Sequence, residues 1–371
     1  MYLRNLSVLN FKNYQEAELS FSKKVICFTG NNGAGKTNLL DAIHYLCLSK
    51  SYFNPADSQQ IYHDEDFFMV QGNFDRLKKD ENIHIGLRRN QRKLIKRNKK
   101  EYGLISEHIG QFPLVISSPS DSMLITEGSE ERRRFLDAAL SQTDTSYLDT
   151  LISYNRILLN RNMLLKQMHE RRNFDADILE VYNEQMLKSG EEIFLKRKNY
   201  LIDFTIIFNQ FYNFLSGNKE QVELIYESQL LEGDFKGQLR NALETDRLLK
   251  RSTIGIHKDD LLFSLSGKPL KKFGSQGQQK SFLLAMKLTQ YHFLKIEKGF
   301  APLLLLDDLF DKLDYTRIKN LLELVLKENF GQLFITNTQA EPILDILEKL
   351  AIEPQMFFVE DGKVFEVIGK S

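Results

Sequence analysis

Gly30-Asn31-Asn32-Gly33-Ala34-Gly35-Lys36-Thr37 is the stretch that decides the fold. Before it runs Lys24-Val25-Ile26-Cys27-Phe28-Thr29, apolar enough for a buried strand. After it comes Asn38-Leu39-Leu40-Asp41-Ala42-Ile43-His44-Tyr45-Leu46, whose apolar residues recur with a helical period. A strand, a glycine loop and a helix in this order match G-x-x-x-x-G-K-[ST]. The spacing has a chemical cause. Glycines let successive backbone N–H groups curl around phosphate oxygens, and the next helix aims its positive N-terminal end at them. Residues Gly30 to Asn38 are therefore the expected ATP cradle, with Lys36 reaching the β- and γ-phosphates and the Thr37 hydroxyl binding Mg²⁺.

A second apolar run, Leu303-Leu304-Leu305-Leu306, ends in Asp307-Asp308. Beside a phosphate loop, such a strand brings its first acid to the metal shell. Side chains alternate along a strand, so the second acid points elsewhere, toward an attacking water. Asp307 is the expected Mg²⁺ residue and Asp308 the general base or water-positioning residue, with Lys36 completing the catalytic set.

Lys271-Lys272-Phe273-Gly274-Ser275-Gln276-Gly277-Gln278-Gln279-Lys280 leads into a helical stretch at Ser281 to Leu294. Ser275 can cap that helix, and Gly277 admits close backbone approach, which makes a second anion cradle. It lies 238 residues after Thr37 and 32 before Asp307. The S-x-G-Q-Q-K pattern resembles the signature loop of ABC-type ATPases. That resemblance implies that Ser275, Gly277 and Gln278 of one subunit close over the γ-phosphate held by the other, so that ATP joins an isologous homodimer. Phe310-Asp311-Lys312-Leu313-Asp314 resembles the D-loop of the same family.

Three further segments resemble the RecF family. They are Asn38 to Ala42, Ser118 to Gly128 with Arg132-Arg133-Arg134-Phe135-Leu136-Asp137, and Gly255-Ile256-His257-Lys258-Asp259-Asp260-Leu261. Together with the ATPase motifs the likeness covers essentially the whole chain. It implies a protein of recombinational DNA repair and replication maintenance. Such a protein dimerises on ATP, binds DNA at single-strand gaps or junctions, and acts with RecR and RecO, and through them RecA. Two departures, at Asp308 and at the switch position, point to a weak ATPase. Asp308 stands where many ABC ATPases carry Glu. No histidine occurs in Ile335-Thr336-Asn337-Thr338, where the switch residue is expected, so hydroxyl or amide groups must serve the γ-phosphate region. No Q-loop glutamine is identifiable, and the Ser118 to Asp121 turn is the candidate replacement.

The chain has 371 residues, 42% hydrophobic and 27% charged, with 50 basic and 50 acidic side chains. That composition is globular, and it excludes a wholly basic nucleic-acid coat. Cys27 and Cys47 sit in apolar surroundings and read as reduced thiols. With no long apolar run, the expectation is a soluble, cytoplasmic protein without a membrane partner. From about Glu130 to Leu249 glycine and proline are scarce and helical patterns dominate. The expected fold is therefore α/β: an ABC-type P-loop ATPase head over 1–125 and 251–371, with a mixed sheet and an antiparallel β subdomain, and an inserted α-helical lobe over 126–250. Residues 67–116 read as β-hairpins. The helices look too short for a long antiparallel coiled-coil arm.

Arg88, Arg89, Arg92, Lys93, Lys96, Arg97, Lys99 and Lys100 follow one another with no acid between them. In a neutral chain this is the expected DNA-binding patch, tracking phosphates rather than reading bases. Arg132-Arg133-Arg134 suits salt bridges at a helix start equally well. Two other classes share the phosphate loop. One is the nucleotide-binding subunit of a transporter, which the long insertion and the missing switch histidine argue against. The other is a P-loop small-molecule kinase, in which the Ser275 segment has no role.

Overall fold

A computed structural model describes residues 1–171, 173–308, 315–327 and 330–367, the side chains of 326 and 327 excepted. The D-loop candidate at 310–314 lies outside them. By internal contacts the chain divides into two compact units. One holds Met1–Ser122, Phe211–Lys219 and Ser275–Ser371; the other holds Met123–Gln210 and Glu220–Gly274. The division thus differs from the sequence boundaries, because residues 251–274 group with the second unit and 211–219 with the first.

The first unit contains two six-stranded sheets. In one, β3 (Val25–Thr29), β8 (Leu114–Ser117), β12 (Leu303–Leu306), β13 (Leu333–Asn337) and β14 (Gln355–Glu360) run parallel in the order β14-β3-β13-β12-β8. An antiparallel β15 (Lys363–Val367) closes the edge. The strands β3, β12 and β13 are buried at every position, as expected of apolar runs covered on both faces. The other sheet is antiparallel, in the order β2 (Tyr14–Ser20), β1 (Tyr2–Phe11), β4 (Phe67–Arg76), β5 (Lys79–Arg88), β6 (Leu94–Arg97), β7 (Lys100–Glu101). Its alternation is plain in β5, where Ile83, Ile85 and Leu87 turn inward. Leu114 to Ile116 does not form the hairpin the sequence predicts. Its uninterrupted apolar run pairs in parallel with Leu303 to Leu305.

The phosphate-loop helix α1 (Lys36–Leu48) is buried nearly all round, and residues of α1 and of both sheets share one core. Among the described residues this unit also holds α9 (Gln276–Lys298), α10 (Tyr315–Lys327) and α11 (Glu341–Lys349). Among the described residues no helix is long and apolar enough to cross a membrane.

In the second unit α2 (Met123–Thr126) and α3 (Ser129–Thr143) precede two long helices, α4 (Thr145–Arg171) and α5 (Ala176–Ser216); the last turns of α5 belong to the first unit. These two pair antiparallel. Lys196 meets Asp144, Glu192 meets Thr150, Arg161 meets Asn183, and Leu165 and Met168 pack with Leu179. At about 1.5 Å per residue the pair extends roughly 40 Å, a short arm and not a long coiled-coil one. The lobe is not wholly helical. Besides α6 (Phe235–Asn241), α7 (Leu243–Leu249) and α8 (Leu270–Phe273), it holds a sheet of β9 (Val222–Glu227), β10 (Asp260–Leu265) and β11 (Lys268–Pro269) in the order β11-β10-β9.

Two buried arginines tie this unit together. Arg197 of α5 binds Asp259 at 2.6 Å, Asp137 at 2.7 Å and the Ile256 carbonyl at 2.9 Å. Arg161 of α4 binds Asp246 and Ser252, each at 2.7 Å, and both charged side chains of its ion pair are 0% exposed. A charge so buried is tolerable only while its partner remains. Arg161→Met strands Asp246 and is expected to cost roughly 3–5 kcal/mol in urea unfolding, whereas Arg161→Met with Asp246→Leu recovers much of that. Equal losses in the single and double variants would refute the pairing as the source.

Candidate functional site

The loop after β3 has the shape its glycines permit. Gly30, Gly33 and Gly35 have φ of 140°, 82° and 119°. A Cβ at Gly30 would collide with the Val359 carbonyl, so only glycine fits there. The Lys36 ammonium donates to the carbonyls of Gly30 (2.6 Å) and Asn31 (2.8 Å), closing the loop on itself. Burial pulls the Lys36 pKa down, while Asp308 and Asp307 pull it back up. Three supports come from the turn between β1 and β2, which the sequence did not flag. Asn13 donates to the Ala34 carbonyl and accepts from the Asn38 amide, and the Tyr14 hydroxyl donates to the Gly35 carbonyl.

The acids meet the loop across the sheet, because β3, β13 and β12 are neighbours and end at one edge. Asp307 Oδ1 accepts from Thr37 Oγ1 at 2.9 Å and from Thr336 Oγ1 at 2.7 Å. Thr336 in turn accepts the Asp308 N–H at 2.8 Å. Burial raises the Asp307 pKa, and the two hydroxyls and Lys36 counter it. Asp308 sits at φ 48°, a left-handed turn that breaks the strand's alternation. A cleft of about 200 Å³ results, lined by Asn32, Gly33, Gly35, Lys36, Thr37, Asn38, Asp307, Asp308 and Thr336. Among the described residues no His, Cys, Asp and Glu side chains cluster into a complete metal cage. The oxygens of Thr37 and Asp307 instead suit a hard cation that takes its other ligands from water and phosphate. Asn337, in the switch region, turns its amide to the Gln339 carbonyl, so Thr336 is the residue of that segment that reaches the cleft.

Ser275 is exposed at the start of α9. Its hydroxyl accepts the Gln278 N–H and Gln278 Oε1 accepts the Ser275 N–H, a complete capping box. The helix thus begins at Gln276, five residues earlier than the sequence suggested, and Gly277 lies in its first turn. Ser275, Gly277 and Gln278 do not line their own chain's cleft. Behind the site, the Ser118 to Asp121 turn adjoins Asp307, whose N–H donates to the Ser117 carbonyl. Asp121 is buried and is held by the Ser118 N–H, the Tyr52 hydroxyl and Lys287 of α9.

The basic stretch 88–100 is not one free surface. Lys93 is paired with Asp57 at 2.7 Å and bonded to Tyr45 and Ser49, and Arg97 is paired with Glu81 at 2.5 Å. Arg88, Arg89, Arg92, Lys99 and Lys100 are exposed and Lys96 half-buried. Of the arginine triplet, Arg132 forks onto Asp260, Arg133 donates to the Asp259 carbonyl, and Arg134 pairs with Glu130 and Glu131.

A strand-borne phosphate loop, a paired acid and an outward capped helix define an ABC-type ATPase head. The family model of the RecF/RecN/SMC N terminal domain matches residues 2–353. The DNA replication and repair protein RecF of Flavobacterium johnsoniae is 49% identical over 341 residues, covering 92% of this chain and 95% of that protein. RecF of Phocaeicola vulgatus is 47% identical, covering 99% and 98%. A solved structure of the recombination mediator RecF with ATP superposes with a TM-score of 0.87 at 32% identity, covering 99% of this chain and 98% of that one. An Smc head bound to the C-winged helix domain of ScpA shares the fold, with a TM-score of 0.56 at 16% identity and coverage of 99% and 98%. The chain belongs to the RecF family within the RecF/RecN/SMC group.

The buried Asp307 yields a prediction for the nucleotide-free protein. Its folded pKa stands above its unfolded one, so its ionisation costs stability as pH rises through the folded pKa. Asp307→Asn keeps an oxygen for both threonines and removes that cost. Its melting temperature at pH 8 should exceed that of wild type, with the gap closing as pH falls through the acid range. A gap independent of pH would show that the carboxyl is not the cause.

Proposed function

We propose that this chain is an ATP-dependent clamp on DNA, acting in recombinational repair and replication maintenance. The observation that carries the reading is an incomplete nucleotide site. The cleft gathers Lys36, Thr37, Asp307 and Asp308 on one side, while the chain's own Ser275 helix start is exposed and outside it. A second copy supplies what is missing. Residues Gly30 to Asn38 cradle the triphosphate, and the Lys36 ammonium exchanges its carbonyl partners for phosphate oxygens. Thr37 and Asp307 hold Mg²⁺, which offsets phosphate charge when bound. Asp308 orients or deprotonates the attacking water, and its short side chain favours slow hydrolysis. Ser275, Gly277 and Gln278 of the twin close the γ-phosphate side.

The names of the relatives support DNA replication and repair as the setting, and the ATP-bound RecF structure supports the nucleotide. That structure's protein belongs to the RecFOR pathway, which supports RecR and RecO as partners here, with RecA served through them at gaps or junctions. Neither the transporter nor the kinase reading finds support among these relatives.

Sedimentation with ATP, ADP or no nucleotide, repeated with gapped DNA, tests the clamp. ATP should double the mass and ADP should not. Ser275→Arg should bind ATP and stay monomeric, and Asp308→Asn should hold the dimer longer than wild type. An unchanged mass at saturating ATP rules the clamp out.

The hairpin residues Arg88, Arg89, Arg92, Lys96, Lys99 and Lys100 are the DNA contacts proposed for the first unit; Lys93 and Arg97 drop out as internally paired. Replacing Lys96, Lys99 and Lys100 with alanine should make the plot of log K against log[salt] shallower by up to about 2.7, at about 0.9 per phosphate contact. The same slope as wild type would remove the hairpin from the contact surface.

A further inference from the structure

The clamp leaves two of the RecF-like sequence segments without a role: Arg132 to Asp137 and Gly255 to Leu261. In the second unit they meet. Arg132 grips Asp260 at 2.6 and 2.9 Å, Arg133 Nη1 donates to the Asp259 carbonyl at 2.7 Å, and buried Arg197 bonds both Asp137 and Asp259. The Tyr226 hydroxyl adds a fourth hold, on Asp259 at 2.6 Å. Gly255 has φ 134° and lies so close to the Tyr154 hydroxyl that a Cβ there would collide with it. His257 packs under the turn, with Nδ1 2.9 Å from Tyr154 Oη and Nε2 3.2 Å from the Ser252 carbonyl. Burial pushes the His257 pKa down to about 4, so the ring adds no charge at neutral pH.

The charges around this turn are sorted. Asp246, Asp259 and Asp260 face inward onto Arg161, Arg197 and Arg132, and Glu130 is taken by Arg134. The cations face outward. Arg251 and Lys258 are exposed, and among the described residues neither side chain has a hydrogen-bond or ion-pair partner. Arg133 is half-buried and commits only Nη1. The three are near neighbours: Arg133 is bonded to the carbonyl of Asp259, beside Lys258, and His257, on the other side of Lys258, lies 3.2 Å from the carbonyl of Ser252, beside Arg251; burial first, and then the charges of Arg251 and Arg133, lower the Lys258 pKa. Like charges gathered on a fixed turn repel one another, and an anion relieves that cost. No aromatic side chain is part of the cluster, so a backbone phosphate suits it better than a stacked base.

We propose that Arg133, Arg251 and Lys258 form a contact site for the phosphodiester backbone of DNA, carried by the second unit; the proposal rests on the DNA-clamp reading. The internal network of Arg132, Arg197 and Tyr226 positions the turn, and the three outward cations hold the phosphates. Contact of this kind is blind to base sequence and weakens with salt.

The test uses the full-length chain with ATP and two gapped duplexes of equal length and unrelated sequence, their binding followed by fluorescence anisotropy across a salt series. Arg251→Ala with Lys258→Ala should weaken both duplexes alike and make the log K against log[salt] slope shallower by about 1.8, two contacts at about 0.9 each. Arg251→Lys with Lys258→Arg should keep the wild-type slope. ATP-induced sedimentation of the alanine variant is the check on its fold. An unchanged slope in the alanine variant overturns the site. So does a loss confined to one duplex, which means base readout. Inorganic phosphate matched to the DNA phosphate concentration should leave the wild-type complex bound; if it displaces the DNA, the site belongs to a free anion. A wild-type protein that dimerises on ATP yet binds neither duplex fails at the clamp reading itself, a result separate from failure of the variant alone.

Discussion

One carboxylate oxygen organises the candidate site. Asp307 Oδ1 receives the hydroxyls of Thr37 and Thr336, so it joins the first turn of α1 to the ends of β12 and β13. These strands are neighbours in a parallel sheet, which puts their C-terminal ends at one edge, where open α/β folds place their ligands. Burying a carboxylate is unfavourable unless it is well bonded. The two threonines supply those bonds, and the same arrangement fixes Asp308 by taking its N–H onto Thr336. The acid therefore holds the strand ends to the phosphate-loop helix.

The second unit solves a similar problem with larger charges. Arg161 and Arg197 each gather several partners from segments far apart in sequence. Replacing such buried pairs with apolar groups is often neutral or stabilising elsewhere, so stability alone does not account for them. Here the Arg197 network fixes where the Gly255 to Asp260 turn stands.

What could be read from sequence follows a physical divide. The glycine loop, its flanking strand and helix, and the strand ending in Asp307 were legible because each depends on residues within a few positions of one another. The N-cap at Ser275 is legible for the same reason, although its reciprocal bond from Gln278 is not, and α9 begins five residues before the apolar period becomes visible. What escaped depends on distant partners. Lys93 looked like a free cation until Asp57 met it, and Arg97 until Glu81 did. Thr336, Asn13 and Tyr52 carry no local pattern that marks them. Leu114 to Ile116 resembles a hairpin strand because a short apolar strand does not show its partner, and β9 carries no signal that sets it apart from the helical pattern around it. The domain boundaries were placed where composition changes, whereas the contacts divide the chain at Ser122, Gln210, Lys219 and Gly274.

The self-closure of the phosphate loop has a consequence for how a nucleotide would act. With Lys36 bonded to the Gly30 and Asn31 carbonyls, the loop has no dangling ammonium to settle. An arriving phosphate trades places with two carbonyls in a cradle that is already formed, so little of its attraction is consumed in ordering the chain. What attraction remains holds the phosphate in place rather than building the cradle around it.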